Sequence, residues 1–230
     1  MTTKAVVLHS GGMDSSLCLL LAKEQFGAKN ILSLGLRYGQ RHSAELSAAA
    51  TIADHFGIAR EEIDMPVLPG WEESSLIAHS LPIQSSGTVP NSFVPGRNGL
   101  FLMMAAVRAG SLGAHQLFIG VMELEGAYSG YPDCSRRYID SVEAVIRQDL
   151  QDPLFSIQTP LIRMTKAQTM ELGDSLGVLE YLFTHTITCY NGLPLWGCKA
   201  CPACRLRNEG IAEFCRTHPN KKVPLLNEKI

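Results

Sequence analysis

A chain of 230 residues, 46% hydrophobic and 18% charged, has the apolar material for one sizeable α/β domain, or a domain with a small appendage, and is not disordered. A formal net charge of −2 excludes a protein that holds nucleic acid mainly by neutralising phosphates, although Arg97, Arg136, Arg137 and Arg163 would make a local basic patch if they met. The densest apolar run, residues 17–22, is far too short to span a bilayer, and the opening Met1-Thr2-Thr3-Lys4 carries no secretory pattern, so a soluble, cytoplasmic protein with no membrane contact is expected.

In chain order, residues 5–9 read as a buried strand that runs into Ser10-Gly11-Gly12-Met13-Asp14-Ser15-Ser16 and then into an apolar helix over 15–26. A strand at 31–36, a helix at 43–56 and a strand at 62–65 follow. Residues 66–96 break the alternation with Pro, Ser and Gly, including Ser85-Ser86-Gly87-Thr88 and Val94-Pro95-Gly96. A connection this long within a compact domain usually has a function, and part of it is expected to act as a lid over a ligand. A helix at 99–109 and a strand at 117–121 resume the pattern. Beyond them lie a helix at 166–176 with Thr165 as its N-cap, a cysteine-rich stretch, a helix from about 205 to 217, and a polar tail containing Lys221-Lys222. Alternating strands and helices imply parallel strands joined by crossovers, hence a doubly wound sheet with helices on both faces. Ligands gather at the carboxyl ends of such strands, where the strand order reverses. The spacing divides the chain into an α/β domain over 1–184 and a cysteine-bearing region over 185–230.

The loop after the first strand suits an anion. Helix N-termini present unpaired, partially positive N–H groups, the paired glycines admit close approach of a phosphate, and the serines add hydroxyl donors. Asp14 beside phosphates makes sense as a ligand of Mg²⁺ or as a helix cap. The loop is neither a Walker A sequence nor a dinucleotide fingerprint. The string S-G-G-x-D-S resembles instead the pyrophosphate (PP) loop of ATP pyrophosphatases, which implies cleavage of ATP to AMP and pyrophosphate with adenylation of a substrate oxygen.

Four of the seven cysteines, Cys189, Cys198, Cys201 and Cys204, fall in a C-x8-C-x2-C-x2-C pattern. This is metal-ligand spacing, and two overlapping C-x-x-C turns let the sulfurs converge without a core of their own. Four thiolates leave no coordination position open, so a structural Zn²⁺ site is expected. A redox-active cysteine pair and an iron–sulfur cluster are the competing readings.

Further strings occur in order: Tyr38-Gly39-Gln40-Arg41-His42, Val94-Pro95-Gly96-Arg97-Asn98, Ser129-Gly130-Tyr131-Pro132-Asp133-Cys134, Pro160-Leu161 with Met164-Thr165-Lys166-Ala167, and Thr188-Cys189-Tyr190-Asn191-Gly192. Together with the first loop and the cysteines they resemble the 7-cyano-7-deazaguanine synthase (QueC) family from about residue 4 to 215. The resemblance implies an adenine nucleotide alpha hydrolase-like, PP-loop fold. It implies an ATP-dependent ligase that adenylates 7-carboxy-7-deazaguanine, lets ammonia displace AMP to give the amide, then activates the amide oxygen with a second ATP to leave the nitrile. Ser10, Gly11, Gly12, Met13, Asp14, Ser15 and Ser16 would hold the pyrophosphate part of ATP, with Asp14 near Mg²⁺ and Lys166 on the transferring phosphates. Arg97 would pair with a carboxylate or phosphate, with Asn98 beside it. Tyr131 would stack on the deazaguanine, Asp133 would accept hydrogen bonds from it, and Gly130, Tyr38, Gln40, Arg41 and His42 would complete the substrate site. A homodimer is also implied, and no nucleic-acid partner.

The chain departs from the family after Val121, where residues 121–128 run about two residues longer. Glu123, with Glu125 second, is the expected acid of that loop. The departure motivates an alternative in which a QueC-like ligase stops at the amide or joins the deazaguanine carboxyl to an amine of a partner protein.

Overall fold

A computed structural model describes residues 2–84, 89–124, 130–194 and 196–221. Ser85–Thr88, Glu125 with the rest of the 125–129 segment, and the tail from Lys222 lie outside the described residues. The elements are β1 (Ala5–Leu8), α1 (Met13–Phe26), β2 (Ile31–Arg37), α2 (Ala44–His55), β3 (Ala59–Asp64), α3 (Arg97–Ser111), β4 (Gln116–Phe118), α4 (Arg136–Asp149), β5 (Ser156–Gln158), α5 (Lys166–Ser175), α6 (Leu179–His185) and α7 (Pro202–Thr217).

The five strands form one parallel sheet in the order β3-β2-β1-β4-β5. The chain winds outward from β1 to β3 and then returns to the other side of β1, so the order reverses between β1 and β4. That reversal opens the crevice in which ligands sit. β1 is buried on both faces: Ala5 and Val7 join one core with residues of α1, α5, α6 and α7, while Val6 and Leu8 join another with residues of α3 and α4. The strictly two-residue side-chain period of a strand makes this division. No helix among the described residues is long and apolar enough to cross a membrane.

The doubly wound expectation holds, with differences at the edges. β3 begins at Ala59, three residues earlier than expected, and β4 stops at Phe118. α4, β5 and α6 are additional elements. α4 shows few apolar residues because it touches the sheet along a narrow stripe through Ile139 and Ile146. Its buried Glu143 accepts the Ile157 N–H at 2.6 Å, and Arg147 holds the other carboxylate oxygen at 2.8 Å. Thr165 caps α5 as expected, with Gln168 completing a reciprocal capping box. Arg136 is bonded to Asp140, Glu143 and the Ile157 carbonyl, so it is drawn into α4 and its contact with β5.

The 66–96 segment is stapled down along its described part. Trp71, Leu76, Ile77 and Val94 are buried together with Tyr38, and the Trp71 indole donates to the Pro95 carbonyl at 3.0 Å. Arg41 donates to the carbonyls of Ser75, His79 and Leu81.

Gly11 has φ +88°, and a Cβ there would collide with the backbone carbonyl of Glu45 on α2. Only glycine permits both the left-handed conformation and the close approach. Gly11→Ala is therefore expected to destabilise the fold by about 4 kcal/mol or more, read as a lowered midpoint in urea unfolding with the slope unchanged.

Candidate active site

A cavity of about 640 Å³ opens at the carboxyl ends of β1, β2 and β4. Its floor is the loop after β1. Gly12 caps α1 without any side-chain hydrogen bond, which leaves first-turn N–H groups available to an anion. Ser15 Oγ receives the Ser10 N–H at 3.2 Å and donates to the Gly12 carbonyl at 3.1 Å, holding the loop in a fixed curve. Below it, His9 bridges Ser33 and Ser16 through its two ring nitrogens at 2.9 and 3.0 Å. Burial, helped by nearby Arg60, lowers the His9 pKa to about 3, so the imidazole is a neutral prop.

Asp14, in the first turn of α1, meets Lys166 from the first turn of α5 at 2.5 Å. Lys166 Nζ also lies 3.2 Å from Met122 Sδ, just beyond β4. Three elements therefore converge on this pair, and two glycines allow it. A Cβ at Gly120 would come within 2.8 Å of the Asp14 backbone, and a Cβ at Gly210 on α7 would strike Lys166 Cβ. The second Asp14 oxygen, Oδ1, is buried without a hydrogen-bond partner. An orphaned carboxylate oxygen in a phosphate loop fits a divalent cation.

Across the cavity stand Arg97 and Asn98 at the start of α3. The Arg97 guanidinium lies over the rings of Tyr38 and Phe101, 5.8 and 5.9 Å from their centroids, and its Nε is buried without a partner. Burial opposes its charge, but Tyr38, Asp133, Tyr190 and Cys134 hold its pKa above the ordinary arginine value. Tyr131 lines the same wall, its hydroxyl 2.6 Å from Ser92 Oγ. Tyr38, Gln40, Arg41 and His42 follow β2 and also line the cavity. The Arg41 guanidinium is engaged with the three carbonyls of the 66–96 segment.

The structure thus brings Ser10, Gly12, Met13, Asp14, Ser15, Tyr38, Gln40, Arg41, His42, Arg97, Asn98, Tyr131 and Lys166 to one cavity. Gly11, Ser16, Gly130, Asp133 and Glu123 are not among the lining residues. Gly11 and Ser16 shape the loop from behind, Ser16 Oγ donating to the Gly12 carbonyl at 2.8 Å. Asp133 is 3% exposed and acts on Arg97. Glu123 is tied by its N–H to the Ile162 carbonyl at 2.8 Å.

Sequence reasoning missed three features. Glu45 lines the cavity from the first turn of α2, three residues after the Tyr38–His42 string. Tyr190 and Cys134 line it too, as do Arg205, Leu206 and Glu209 of α7. The helix that starts in the cysteine cluster therefore forms a wall of the cavity.

The sulfurs of Cys189, Cys198, Cys201 and Cys204 lie within 4.8 Å of one another. Backbone N–H groups of Cys198, Cys201 and Cys204 donate to the preceding ligand sulfurs at 3.2–3.4 Å. The neighbouring Cys204 thiol, with backbone N–H groups of Tyr190 and Cys204, lowers the Cys201 pKa to about 5. N–H···S bonds stabilise thiolates, so the donor set fits a tetrahedral metal.

A family model described as queuosine biosynthesis protein QueC matches residues 4–215. The chain is 42% identical over 213 residues to the 7-cyano-7-deazaguanine synthase of Lysinibacillus sphaericus (strain C3-41), covering 92% of this chain and 95% of that protein. Among solved structures it is similar to the NMN synthetase from Francisella tularensis (TM-score 0.50, 16% identity, 96% of this chain and 87% of that one). It is also similar to the U34-tRNA thiolase NcsA from Methanococcus maripaludis with its [4Fe-4S] cluster (TM-score 0.51, 14% identity, 95% and 68%). At such identities the two structures share the fold alone with this chain.

Proposed function

The chain belongs to the queuosine biosynthesis protein QueC family, and from that premise we propose that it is an ATP-dependent ligase converting 7-carboxy-7-deazaguanine and ammonia to 7-cyano-7-deazaguanine. The observation that carries the reading is the convergence on one cavity of an intact pyrophosphate loop, its Asp14–Lys166 pair and the buried Arg97 cation.

A carboxylate oxygen is a poor leaving group until adenylation stabilises the departing charge. The substrate carboxylate attacks the α-phosphorus of ATP, and pyrophosphate departs into the N–H groups of α1 and the serine hydroxyls. Lys166 Nζ is the cation placed to balance the charge that grows there. Arg97 orients the carboxylate through its fork of donors. Ammonia displaces AMP to form the amide. A second ATP then adenylates the amide oxygen with release of pyrophosphate, and AMP leaves with that oxygen as the nitrogen sheds its two protons to give the nitrile. Magnesium at Asp14 would neutralise phosphate charge; the four cysteines would hold zinc as scaffold, its closed coordination leaving it outside the chemistry. A homodimer and a cytoplasmic location accompany this reading. The amide-stopping or protein-conjugating alternative is not favoured, because the relative matched almost end to end is a nitrile synthase.

The test is a reaction of pure protein with 7-carboxy-7-deazaguanine, ATP and ammonia, followed by mass spectrometry. The cyano product is expected with AMP and pyrophosphate released in step. Absence of any deazaguanine-dependent AMP would overturn the assignment.

A further inference from the structure

Resting on that reading, we propose that Glu45 is the proton acceptor for nitrogen addition: as ammonia attacks the adenylated carboxyl carbon, its carboxylate takes the proton that the new C–N bond sheds. The step balances. The nitrogen lone pair forms the C–N bond, the carbon–oxygen bond to AMP breaks, AMP leaves with that electron pair, and one N–H proton moves to Glu45.

Forming an amide from ammonia releases a proton, and some group must receive it. Among the described residues the cavity offers few acceptors. Asp14 is paired with Lys166 in the phosphate loop. His9 has both ring nitrogens engaged. The His42 ring is hydrogen-bonded to the backbone of Cys189 and Tyr190, and its Nδ1 is buried away from the cavity space. Cys134 is a thiol whose pKa burial pushes up to about 12. Glu209 is exposed at the solvent edge on α7. Glu45 remains, a half-buried carboxylate on the cavity wall.

Its placement is rigid. The Glu45 carbonyl packs so closely on Gly11 that no side chain fits there, which registers the first turn of α2 to the loop that holds the reacting phosphate. Burial raises the Glu45 pKa to about 7, with Arg97 and a hydrogen bond from Gln40 drawing it back down. The Tyr38 phenol also lies in its field. Burial alone would keep the acid neutral; the Arg97 charge returns it to a value where it both accepts and releases a proton near neutrality.

Glu45→Gln tests this, with free ammonia held constant across pH. In the unaltered protein the rate of amide formation should rise through a limb near pH 7 as Glu45 ionises. E45Q should lose that limb and fall about 10²–10³-fold in ammonia-dependent turnover, while pyrophosphate exchange into ATP driven by 7-carboxy-7-deazaguanine falls less than about tenfold. Glu45→Asp, which keeps the carboxylate but retracts it, should keep the limb at a lowered rate. Exchange that drops in E45Q as far as amide formation, a limb that survives in E45Q, or an E45D rate equal to that of the unaltered protein would each overturn the assignment. Absence of exchange in the unaltered protein is a different result and would overturn the functional reading beneath it.

Discussion

Lys166→Met is expected to lower the rate of ATP cleavage by about 10²–10³-fold, the scale of losing one preorganised charge stabiliser. Lys166 Nζ sits 2.5 Å from Asp14 with its side chain 13% exposed, in a site where charge interactions are weakly screened. Methionine keeps the length of the stem but leaves Asp14 facing the incoming phosphates without that partner. The expected signature is a loss in kcat with the KM for ATP less affected, because pyrophosphate carries more charge as it departs than it does within bound ATP. Lys166→Arg should not restore the rate, since a planar fork cannot replace a compact ammonium held between Asp14 and Met122. Pyrophosphate release measured beside thermal unfolding separates this from misfolding, and a variant with wild-type kcat would contradict the role.

The second large effect is removal of the metal expected at the four cysteines. Cys204→Ser, or prolonged chelation, should abolish bound metal as read by elemental analysis. It should also lower stability by about 4 kcal/mol, equivalent to a Tm drop of about 8–16 °C for a chain of this size. Cys204 is fully buried, and Gly197 is packed so closely on its sulfur that no side chain fits there, so a serine oxygen left without its metal has nowhere to relax. Were the cysteines chemical instead of structural, replacing Cys201 would stop turnover and leave Tm unchanged.

Much of this was legible in residues 5–64, where hydrophobic period and glycine placement agree. β1 is short and wholly apolar, its loop carries the phosphate chemistry, and α1 follows at once; local pattern and global fold coincide there. α4 and β5 were not legible, because α4 buries a glutamate and spends arginines on internal ion pairs, which read as surface in a linear sequence. The same limit applied to the site. Strings next to strand ends located Tyr38–His42 and Arg97–Asn98, but the α7 wall comes from a helix distant in sequence. Only three-dimensional packing places Arg205 and Glu209 beside the loop after β1. Asp133 shows the converse: its motif was visible, but it is buried and not among the residues that line the cavity.

The crossing of α7 over α5 at Gly210 has a consequence for the order in which the enzyme comes into being. During synthesis the loop after β1 emerges before Lys166, and the helix that backs Lys166 emerges later still. Its first turn carries Cys201 and Cys204, so a metal held by the four cysteines would have to be captured before that helix settles against the lysine. A nascent or metal-starved chain therefore carries a phosphate-binding loop without its backed counter-charge. Such a chain would grip ATP but be poorly equipped to split it, and idle consumption of nucleotide would be deferred until α7 has docked.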